Sequence, residues 1–461
     1  MKIWRKYLAT GLAALVSLLW GGSAAWAADL LRWDAARDRV EARVETWTVP
    51  ELLQRVATRT GWEIYLDPAI TNRVPTKFAG QTPGEALRRL LGDYNYALVP
   101  ETNGASKLFV FRNSRDQATR AVQPVAELSG TNATSRIGNE LIVTLKPGES
   151  IEALAKKLGA KIVGRSDGQN TYRLRFDDDK SADTARAALK TDPAVESVDS
   201  NYYVSRPEIS QATGQPGGPL GLFPKVSPDG KYTVVGLIDS AVQGKAGGIA
   251  DFLLPALSVN GEGKTSDTEP THGTSMAETI LRGLSKANGG DTESTVRILP
   301  VKIFGENDTA TTYDIAVGIY QAVNNGATII NLSLGGDGNS SFLQNTIISA
   351  HDQGVVFIAA AGNTPVTSPT YPAAYSQVVA VTASDRQGNL AAYANRGDFV
   401  DGIAPGGNLI TFNGQQYYVV GTSTSTAFAS GLAAALAEVN KQTGTSLEAA
   451  LRKALAPKTQ P

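Results

Sequence analysis

"GVVFIAAAGN", residues 354–363, is a continuous apolar run that begins at a glycine and ends at Asn363. Such a run is typical of a strand that is buried on both faces of a sheet. Similar runs recur as "VVGLID" (234–239), "VRILPVKIF" (296–304), "GATIINLSL" (326–334) and "QVVAVTASD" (377–385). Helical stretches such as "TTYDIAVGIYQAVNNG" separate them. This alternation predicts an α/β domain over residues 232–456, with a parallel sheet covered by helices on both faces.

The composition excludes several classes of function. A chain of 461 residues is too long for a single core, so we expect more than one domain. The net charge is -1 and no basic tract occurs, so nucleic acid is not a predicted partner. The absence of cysteine rules out disulfides, cysteine nucleophiles and thiolate metal sites. Because His272 and His351 are far apart, a histidine-rich zinc site is also unsupported, and no metal site is predicted.

The first 27 residues have the pattern of a secretory signal peptide. Three cationic residues precede an apolar stretch, and Ala25-Trp26-Ala27 fits the small-x-small cleavage rule. The apolar stretch is short for a membrane span, although an uncleaved anchor is the alternative. We therefore expect an exported protein, located in the periplasm or outside the cell.

Residues 28–113 predict a small α+β domain. "TVPELLQRVATRTG" (48–61) reads as a helix with Pro50 in its first turn and Gly61 just past its end. With "FAGQTPGEALRRLL" (78–91), the segment resembles the short N-terminal domain of secretins and TonB-dependent receptors. That resemblance implies docking to a protein partner in a Gram-negative envelope rather than chemistry.

Three further segments precede the α/β domain. Residues 114–136 lack periodicity and predict a linker. Residues 137–204 alternate as βαββαβ, the ferredoxin-like order, with Ser181 as the expected N-cap of the second helix. Residues 205–231 are rich in Pro, Gly and Ser, which predicts an exposed connection and a possible processing site.

Polar residues stand where the apolar strands of the α/β domain end. Asp239 closes "VVGLID", Ser333 follows "GATIINL", and Asn363 follows "FIAAAG". In open parallel sheets, ligands bind beyond the carboxyl ends of the strands. Each residue also has an alternative explanation as a helix cap or a turn residue.

His272 raises the question of a serine nucleophile. Ser275 is close in sequence, but in a helix starting near His272 its hydroxyl can bond the carbonyl four residues back. Ser423, in "GTSTSTAFASG", opens a small-residue stretch that reads as a tightly packed helix. Free backbone N–H groups and the positive end of the helix dipole would surround it, as a developing oxyanion requires. We therefore predict Ser423 as the nucleophile, and we expect His351 to serve a charge-dipole role at a helix end.

The order Asp239, His272, Ser423 and the motifs around these residues resemble the subtilisin-like serine peptidases (subtilases). The resemblance implies a catalytic triad of these three residues and an oxyanion role for Asn363. It also implies that residues 137–204 are a propeptide acting as chaperone and inhibitor. Calcium is possible by family analogy, but no site is identifiable and no other cofactor is expected. The resemblance implies two substrate-binding segments, formed by Ser333, Leu334 and Gly335 and by Ala360, Ala361 and Gly362.

Several positions depart from the family pattern, and they leave a second hypothesis open. The motifs carry residues that are unusual for the family at five positions: Ala241, Ser275, Glu278, Ala427 and Phe428. The first hypothesis is an exported endopeptidase, made as a self-processed zymogen, that cleaves protein or peptide substrates. The second is a catalytically silent envelope protein that binds peptides and docks through residues 28–113.

Overall fold

The computed structural model describes residues 30–34, 39–44, 47–99, 106–122, 135–205, 210–244, 248–261, 265, 267–290, 292–305 and 309–456. The predicted signal peptide lies outside these ranges. The chain divides into two compact units, Met1–Thr131 and Asn132–Pro461. Among the helices in the described ranges, none combines the length and apolar composition needed to cross a bilayer.

The first unit is an α+β domain. Its strands form the sheets β1-β2-β4 and β5-β6-β3-β7. The helix predicted at residues 48–61 is confirmed as α1, with Thr48 and Glu51 forming a capping box and Gly61 ending it in a left-handed conformation. The elements are β1 (Leu30–Asp34), β2 (Arg39–Val44), α1 (Val49–Thr60), β3 (Glu63–Leu66), β4 (Thr76–Gln81), α2 (Pro83–Leu91), β5 (Asn95–Val99), β6 (Lys107–Phe111) and β7 (Arg120–Val122).

The second unit begins with the predicted βαββαβ segment. Its strands are arranged in the order β11-β8-β10-β9, which is the ferredoxin-like arrangement. The expected cap at Ser181 is wrong, because the preceding carboxylate of Asp178 accepts the Ser181 N–H at 2.7 Å and the helix begins two residues earlier. The elements are β8 (Arg136–Leu145), α3 (Ile151–Leu158), β9 (Lys161–Ser166), β10 (Thr171–Arg175), α4 (Asp179–Leu189) and β11 (Val195–Val204).

The predicted parallel sheet is confirmed in the rest of the second unit. Seven strands lie in the order β15-β17-β14-β19-β20-β21-β22, and all their pairings are parallel. One buried apolar cluster includes residues of α5, α8 and α9, and a second includes residues of α6 and α7. The elements up to the sixth strand of this sheet are β12 (Ser210–Pro216), β13 (Leu222–Pro224), β14 (Val234–Asp239), β15 (Leu257–Ser258), α5 (His272–Ala287), β16 (Thr292–Ser294), β17 (Arg297–Lys302), β18 (Ala310–Thr311), α6 (Thr312–Asn324), β19 (Ile329–Leu332), α7 (Ser341–His351), β20 (Val356–Ala360) and β21 (Val378–Ser384).

A second, three-stranded sheet leads into the C-terminal helices. Its order is β12-β24-β23, so β24 is paired along both edges. The remaining elements are β22 (Gly402–Pro405), β23 (Gly407–Phe412), β24 (Gln415–Val420), α8 (Thr422–Asn440) and α9 (Gly444–Leu455).

Both predicted linkers need correction. Residues 114–136 were expected to lack structure, but β7 belongs to the sheet of the first unit and β8 begins at Arg136. Residues 205–231 were expected to be an exposed connection, but β12 and β13 pair with β24 and β16. Leu220 and Leu222 are buried in the core of the α/β domain. Long-range pairing with distant strands, which local composition does not reveal, gives both segments their structure.

Helices α5 and α8 pack with their backbones in direct contact. A Cβ atom on Gly431 would lie 2.1 Å from the Ile280 carbonyl oxygen, and one on Gly283 would lie 2.6 Å from the Phe428 carbonyl oxygen. The small-residue helix predicted from the sequence is therefore confirmed, and two glycines set the separation of the two helices.

Replacing Gly431 should destabilise this contact. Although alanine favours a helix more than glycine does, the added methyl group would force the two backbones apart. We expect Gly431→Ala to lower the free energy of unfolding by about 1–3 kcal/mol, measured by chemical denaturation. Gly244→Ala is the control, because a Cβ there would meet open space. Equal stability of both variants would contradict the proposed close approach.

Glu278, one of the departures from the family pattern, ties α5 to β23. Its side chain is fully buried, pairs with Arg282 at 2.6 Å, and accepts the Thr411 backbone N–H at 2.8 Å. Burial raises the pKa of Glu278 above its ordinary value of 4.5, against the opposing effect of Arg282. The carboxylate thus satisfies a backbone donor of the β23–β24 hairpin.

The raised pKa predicts how stability depends on pH. The folded protein holds the Glu278 proton more readily than the unfolded chain, so this stabilising contribution is present below pH 4.5 and is lost as the pH rises through the folded-state pKa. Glu278→Gln removes the dependence. The free energy of unfolding of the unsubstituted protein minus that of the variant should therefore fall as the pH rises. Denaturation curves from pH 4 to 8 test this, with the exposed Glu293→Gln as control. If this difference in the free energy of unfolding instead grew with pH, the ion pair with Arg282 would outweigh burial in its effect on the pKa of Glu278.

Candidate active site

Asp239 and His272 are in direct contact at the carboxyl edge of the sheet. Asp239 is the last residue of β14, is fully buried, and also accepts the Ser240 backbone N–H at 2.6 Å. His272 is the first residue of α5, and its Nδ1 lies 2.8 Å and 2.9 Å from the two carboxylate oxygens. An ionised carboxylate only accepts hydrogen bonds, so Nδ1 carries the proton. In the neutral imidazole Nε2 is then the nitrogen that carries no proton, and this buried atom has no partner among the described residues.

Ser423 lies in the first turn of α8 and is buried. Its hydroxyl donates to the Ser333 carbonyl oxygen at 3.0 Å, and the Ser333 hydroxyl donates to the Ser423 carbonyl oxygen at 3.1 Å. The Ser423 hydroxyl is therefore directed at the end of β19 in this structure, not at His272. To pass its proton to His272, the hydroxyl must turn away from the Ser333 carbonyl.

The backbone at the start of α8 provides hydrogen-bond donors. Amides in the first turn of a helix have no carbonyl partner within the helix, and they carry the positive end of the helix dipole. Gly421 precedes this turn with φ 152°, a conformation that side chains rarely allow. A Cβ at Gly421 would also lie 3.0 Å from Asn363 Nδ2. Glycine therefore keeps the space between the first turn and Asn363 open.

Asn363 directs its amide nitrogen into that space. Its Oδ1 accepts the Thr422 backbone N–H at 2.9 Å and the Thr422 hydroxyl at 2.8 Å. A backbone N–H can only donate, which fixes the amide orientation so that Nδ2 faces the other way. Nδ2 is buried without a partner among the described residues. A buried, unpaired donor is costly, which is what a site built to receive an oxyanion would show.

The chain's own strand lies along the predicted substrate-binding segment at Gly335. Ser205 and Gly335 exchange two backbone hydrogen bonds, each 3.0 Å long, in an antiparallel bridge. Ser333 and Leu334 are buried, as are Ala360 and Ala361 on the neighbouring strand. Because these side chains are buried, the segment can pair through its backbone with a peptide in extended form.

The βαββαβ segment is docked against two helix N-termini. Asn201 accepts the Tyr313 N–H at the start of α6 at 3.2 Å. Asp199 accepts the Phe342 N–H at the start of α7 at 2.8 Å. Acceptors at these positions satisfy free amides and, for Asp199, interact favourably with the helix dipole. Strand β11 then pairs with β18 and leads to Ser205 at the cleft.

Two residues that the sequence set aside take structural roles. The Ser275 hydroxyl donates to the Thr271 carbonyl oxygen at 3.1 Å, four residues back, as predicted. His351 is the last residue of α7, and its Nε2 lies 2.9 Å from a Glu448 oxygen. Both side chains are thereby engaged away from Ser423.

The described residues include no cluster of three or more His, Cys, Asp or Glu side chains that could hold a metal ion. No place for calcium is identified among these residues.

A buried Asp-His pair, a serine at a helix N-terminus and an unpaired amide donor define a serine hydrolase site. Comparison with known proteins identifies the family. Residues 230–459 match the Subtilase family, and residues 124–201 match the Fervidolysin N-terminal prodomain. The chain is 31% identical to thermitase of Thermoactinomyces vulgaris over 212 residues, which cover 45% of this chain and 76% of thermitase. It therefore belongs to the subtilase family and is a subtilisin-like serine endopeptidase preceded by a prodomain.

Two other proteins extend the similarity into the prodomain. The chain is 29% identical to the thermophilic serine proteinase of Bacillus sp. (strain AK1), across 71% of this chain and 85% of the relative. The crystal structure of fervidolysin from Fervidobacterium pennivorans superposes with a TM-score of 0.51 at 19% identity. That superposition covers 65% of this chain and 54% of fervidolysin, so it shows a shared fold over about half of the larger protein. The predicted fold class is confirmed.

Sequence reasoning missed the residues that hold the site in place. Thr422 orients Asn363, and its hydroxyl oxygen also accepts the Gly362 N–H at 3.1 Å. Thr422 directly precedes Ser423 in "GTSTSTAFASG", but the sequence does not indicate that the Thr422 side chain contacts the residues that follow β20. Asp199 and Asn201 appear only as polar residues in a strand, and their partners lie more than a hundred residues away.

Removing the Thr422 hydroxyl should weaken the orientation of Asn363. Thr422→Val keeps the backbone N–H and the shape but loses one of the two bonds to Asn363 Oδ1. We expect kcat to fall about tenfold with little change in KM, because the lost bond, worth about 1 kcal/mol, positions a donor used in the transition state. Asn363→Ala should cost more, about a hundred- to a thousand-fold, the magnitude known for subtilisin, a member of the same family. Steady-state kinetics of both variants test this, and a larger loss for Thr422→Val would contradict it.

Proposed function

We propose that Asp239, His272 and Ser423 are the catalytic triad and that Asn363 with the Ser423 backbone N–H forms the oxyanion hole. The observation that carries this proposal is the pair of buried, unpartnered atoms, His272 Nε2 and Asn363 Nδ2. One is a base without a proton donor, and the other is a donor without an acceptor. When Ser423 attacks a peptide carbonyl, its hydroxyl proton passes to His272 Nε2, and the resulting oxyanion accepts a hydrogen bond from Asn363 Nδ2.

The first half-reaction makes an acyl-enzyme. His272 Nε2 takes the proton of Ser423 Oγ as that oxygen forms a bond to the scissile carbonyl carbon. The carbonyl oxygen becomes an oxyanion, which accepts hydrogen bonds from Asn363 Nδ2 and the Ser423 N–H. Asp239 stabilises the imidazolium. Collapse of the intermediate breaks the C–N bond, and His272 returns its proton to the leaving amine.

The second half-reaction restores the enzyme. A water molecule gives a proton to His272 Nε2 as its oxygen attacks the acyl carbon. A second oxyanion forms in the same place and collapses with release of Ser423 Oγ, which regains its proton from His272. The free acid leaves, so peptide-bond hydrolysis is balanced without any cofactor.

We assign Ser333, Leu334 and Gly335 to the binding of the acyl side of the substrate, with Ala360, Ala361 and Gly362 forming the facing wall. The support is the antiparallel bridge between Ser205 and Gly335. An intramolecular strand already occupies the edge that an extended substrate would use. Recognition there would be largely through the backbone.

We further infer that the chain is a zymogen that cuts itself between Ser205 and Ser210. Ser205 pairs with Gly335 on one side of the site, and Ser210 pairs with Val419, just before Ser423 in the chain, on the other. We place the cut between these two paired residues. This interval is narrower than the processing region 205–231 expected from the sequence.

Export and docking are separate proposals. The signal-like pattern in residues 1–27 supports export to the periplasm or the cell exterior. The likeness of residues 28–113 to the short domain of secretins and TonB-dependent receptors supports an envelope protein partner. No observation favours the silent peptide-binding alternative.

The function is tested by intact mass and N-terminal sequencing of the wild type beside Ser423→Ala. Because Ser423 supplies the attacking oxygen, the wild type should begin between residues 206 and 210, and the variant should keep its prodomain. Turnover of a peptide substrate should fall about a million-fold in the variant, the magnitude known for subtilisin.

Ser275→Ala is the matched control and should process normally, because its hydroxyl bonds only to the helix backbone. If Ser275→Ala blocked processing and Ser423→Ala did not, the assignment of the nucleophile would be overturned. Identical N-termini for the wild type and Ser423→Ala, together with equal turnover, would overturn the catalytic proposal itself.

A further inference from the structure

Strand β12 runs along β24 in the direction that the leaving-group side of a substrate would take. Ser210, Gln211 and Ala212 pair in an antiparallel register with Val419, Tyr418 and Tyr417. From Ser210 onward, the chain thus runs along β24 in the direction that leads away from Ser423. A substrate bound in the same direction would need this same edge for its residues beyond the scissile bond.

No second edge is available on β24. Strand β23 pairs with its other side over the whole strand, from Gly407 opposite Val420 to Phe412 opposite Gln415. A strand offers one ladder of hydrogen bonds on each side, so β24 from Tyr417 to Val419 is paired on both sides while β12 is in place.

The anchors of β12 lie on the C-terminal side of the proposed cut. The Gly217 N–H donates to the Gly414 carbonyl oxygen at 2.9 Å, and the Thr411 hydroxyl donates to the Gly218 carbonyl oxygen at 3.0 Å. Leu220 and Leu222 are 8% and 4% exposed and belong to the core cluster that contains residues of α5 and α8. Burying apolar side chains stabilises the attachment, and cutting before Ser210 removes none of these contacts.

A tether this short keeps β12 beside its partner strand. The anchor at Gly217 follows directly on the last paired residue, Pro216. Pairing is then intramolecular, with an effective concentration far above that of any peptide substrate. The Thr213 hydroxyl adds a bond to the Gln416 carbonyl oxygen at 3.1 Å.

The acyl side of the cleft would become unoccupied after the cut, unlike the edge of β24. Its edge at Gly335 is occupied by Ser205, which lies on the prodomain side of the cut. Release of the prodomain therefore frees this edge, whereas the edge of β24 stays paired. The processed cleft is long on the acyl side and short on the leaving-group side.

We propose that β12 remains on β24 in the processed enzyme and closes the leaving-group side of the cleft, so that the enzyme prefers to cleave near the C-terminal ends of polypeptides. This inference rests on the proposed catalytic function and deepens it by naming a substrate class. Long internal sites would have to displace β12 before they could pair with β24.

The test compares two peptides that share one acyl side. One has a leaving group of two residues, and the other continues for eight residues. The processed wild type should cleave the short peptide at least as well as the long one. In Gln211→Pro/Ala212→Pro, the one of these two adjacent N–H groups that faces β24 is lost whichever it is, because successive strand residues alternate in direction, and β12 should detach. The kcat/KM for the long peptide should then rise about tenfold, the effect of one or two recovered backbone hydrogen bonds, while the short peptide is unaffected.

The matched control is Gln211→Thr/Ala212→Thr, which changes the same positions but keeps both N–H groups in a strand-favouring residue. It should behave as the wild type. Hydrogen exchange on the processed wild type provides a test that needs no substitution, because the β12 amides that pair with β24 should be protected and should stay protected when the long peptide is added.

Three results would overturn the inference alone: a mature N-terminus beyond Pro216, unprotected β12 amides, or a wild-type preference for the long peptide that the proline pair leaves unchanged. In each case the short peptide is still cleaved and Ser423 still reacts with a serine-directed phosphonate. If neither peptide is cleaved and Ser423 is not labelled, the proposed catalytic function fails, and this inference fails with it.

Discussion

The direct backbone contact between α5 and α8 is the constraint on which the site depends. His272, the proposed base, begins α5, and Ser423, the proposed nucleophile, lies in the first turn of α8, so the approach of these helices sets how the two residues can meet. Gly283 and Gly431 allow the contact, because a methyl group at either position would strike a carbonyl oxygen of the other helix. Gly283 and Gly431 take no part in the proposed chemistry. They set the separation of the two helices, on which the approach of His272 and Ser423 depends.

The sheet imposes the second part of the arrangement. Asp239, Ser333 and Asn363 follow the neighbouring strands β14, β19 and β20, whose parallel pairing places all three carboxyl ends at one edge. The polar side chains there satisfy one another where they can: Ser333 with Ser423, and Asn363 with Thr422. The two atoms left over, on His272 and Asn363, are those that the reaction would use. In this proposal the reactive atoms are those for which the fold provides no hydrogen-bond partner.

Local sequence patterns predicted the parts of this arrangement that arise from local physics. An apolar run ending in Asp239 indicated a strand end, the position of Pro50 and Gly61 indicated a helix, and the spacing from Thr271 to Ser275 indicated a hydroxyl bonded within its own helix. Residues 205–231 were misread for the same reason. Their Gly, Pro and Ser content is that of a loop, and the pairing of β12 with β24 joins residues about two hundred positions apart. The orientation of Asn363 by Thr422 likewise depends on two segments that meet only in the folded protein.

The segments on the two sides of the proposed cut are held differently, and this difference gives the cut its consequence. On the prodomain side, Ile142 shares a buried apolar cluster with Tyr313 of α6, and hydrogen bonds and charges, including Arg173 with Asp314 at 3.4 Å, also join the prodomain to α6 and α7. Water can replace such partners when the surfaces separate, so their net contribution is modest. On the peptidase side, Leu220 and Leu222 are buried in the core, where separation would expose apolar surface. A cut between Ser205 and Ser210 would therefore leave β12 covalently joined to these core residues, whereas the prodomain would be held by non-covalent contacts alone.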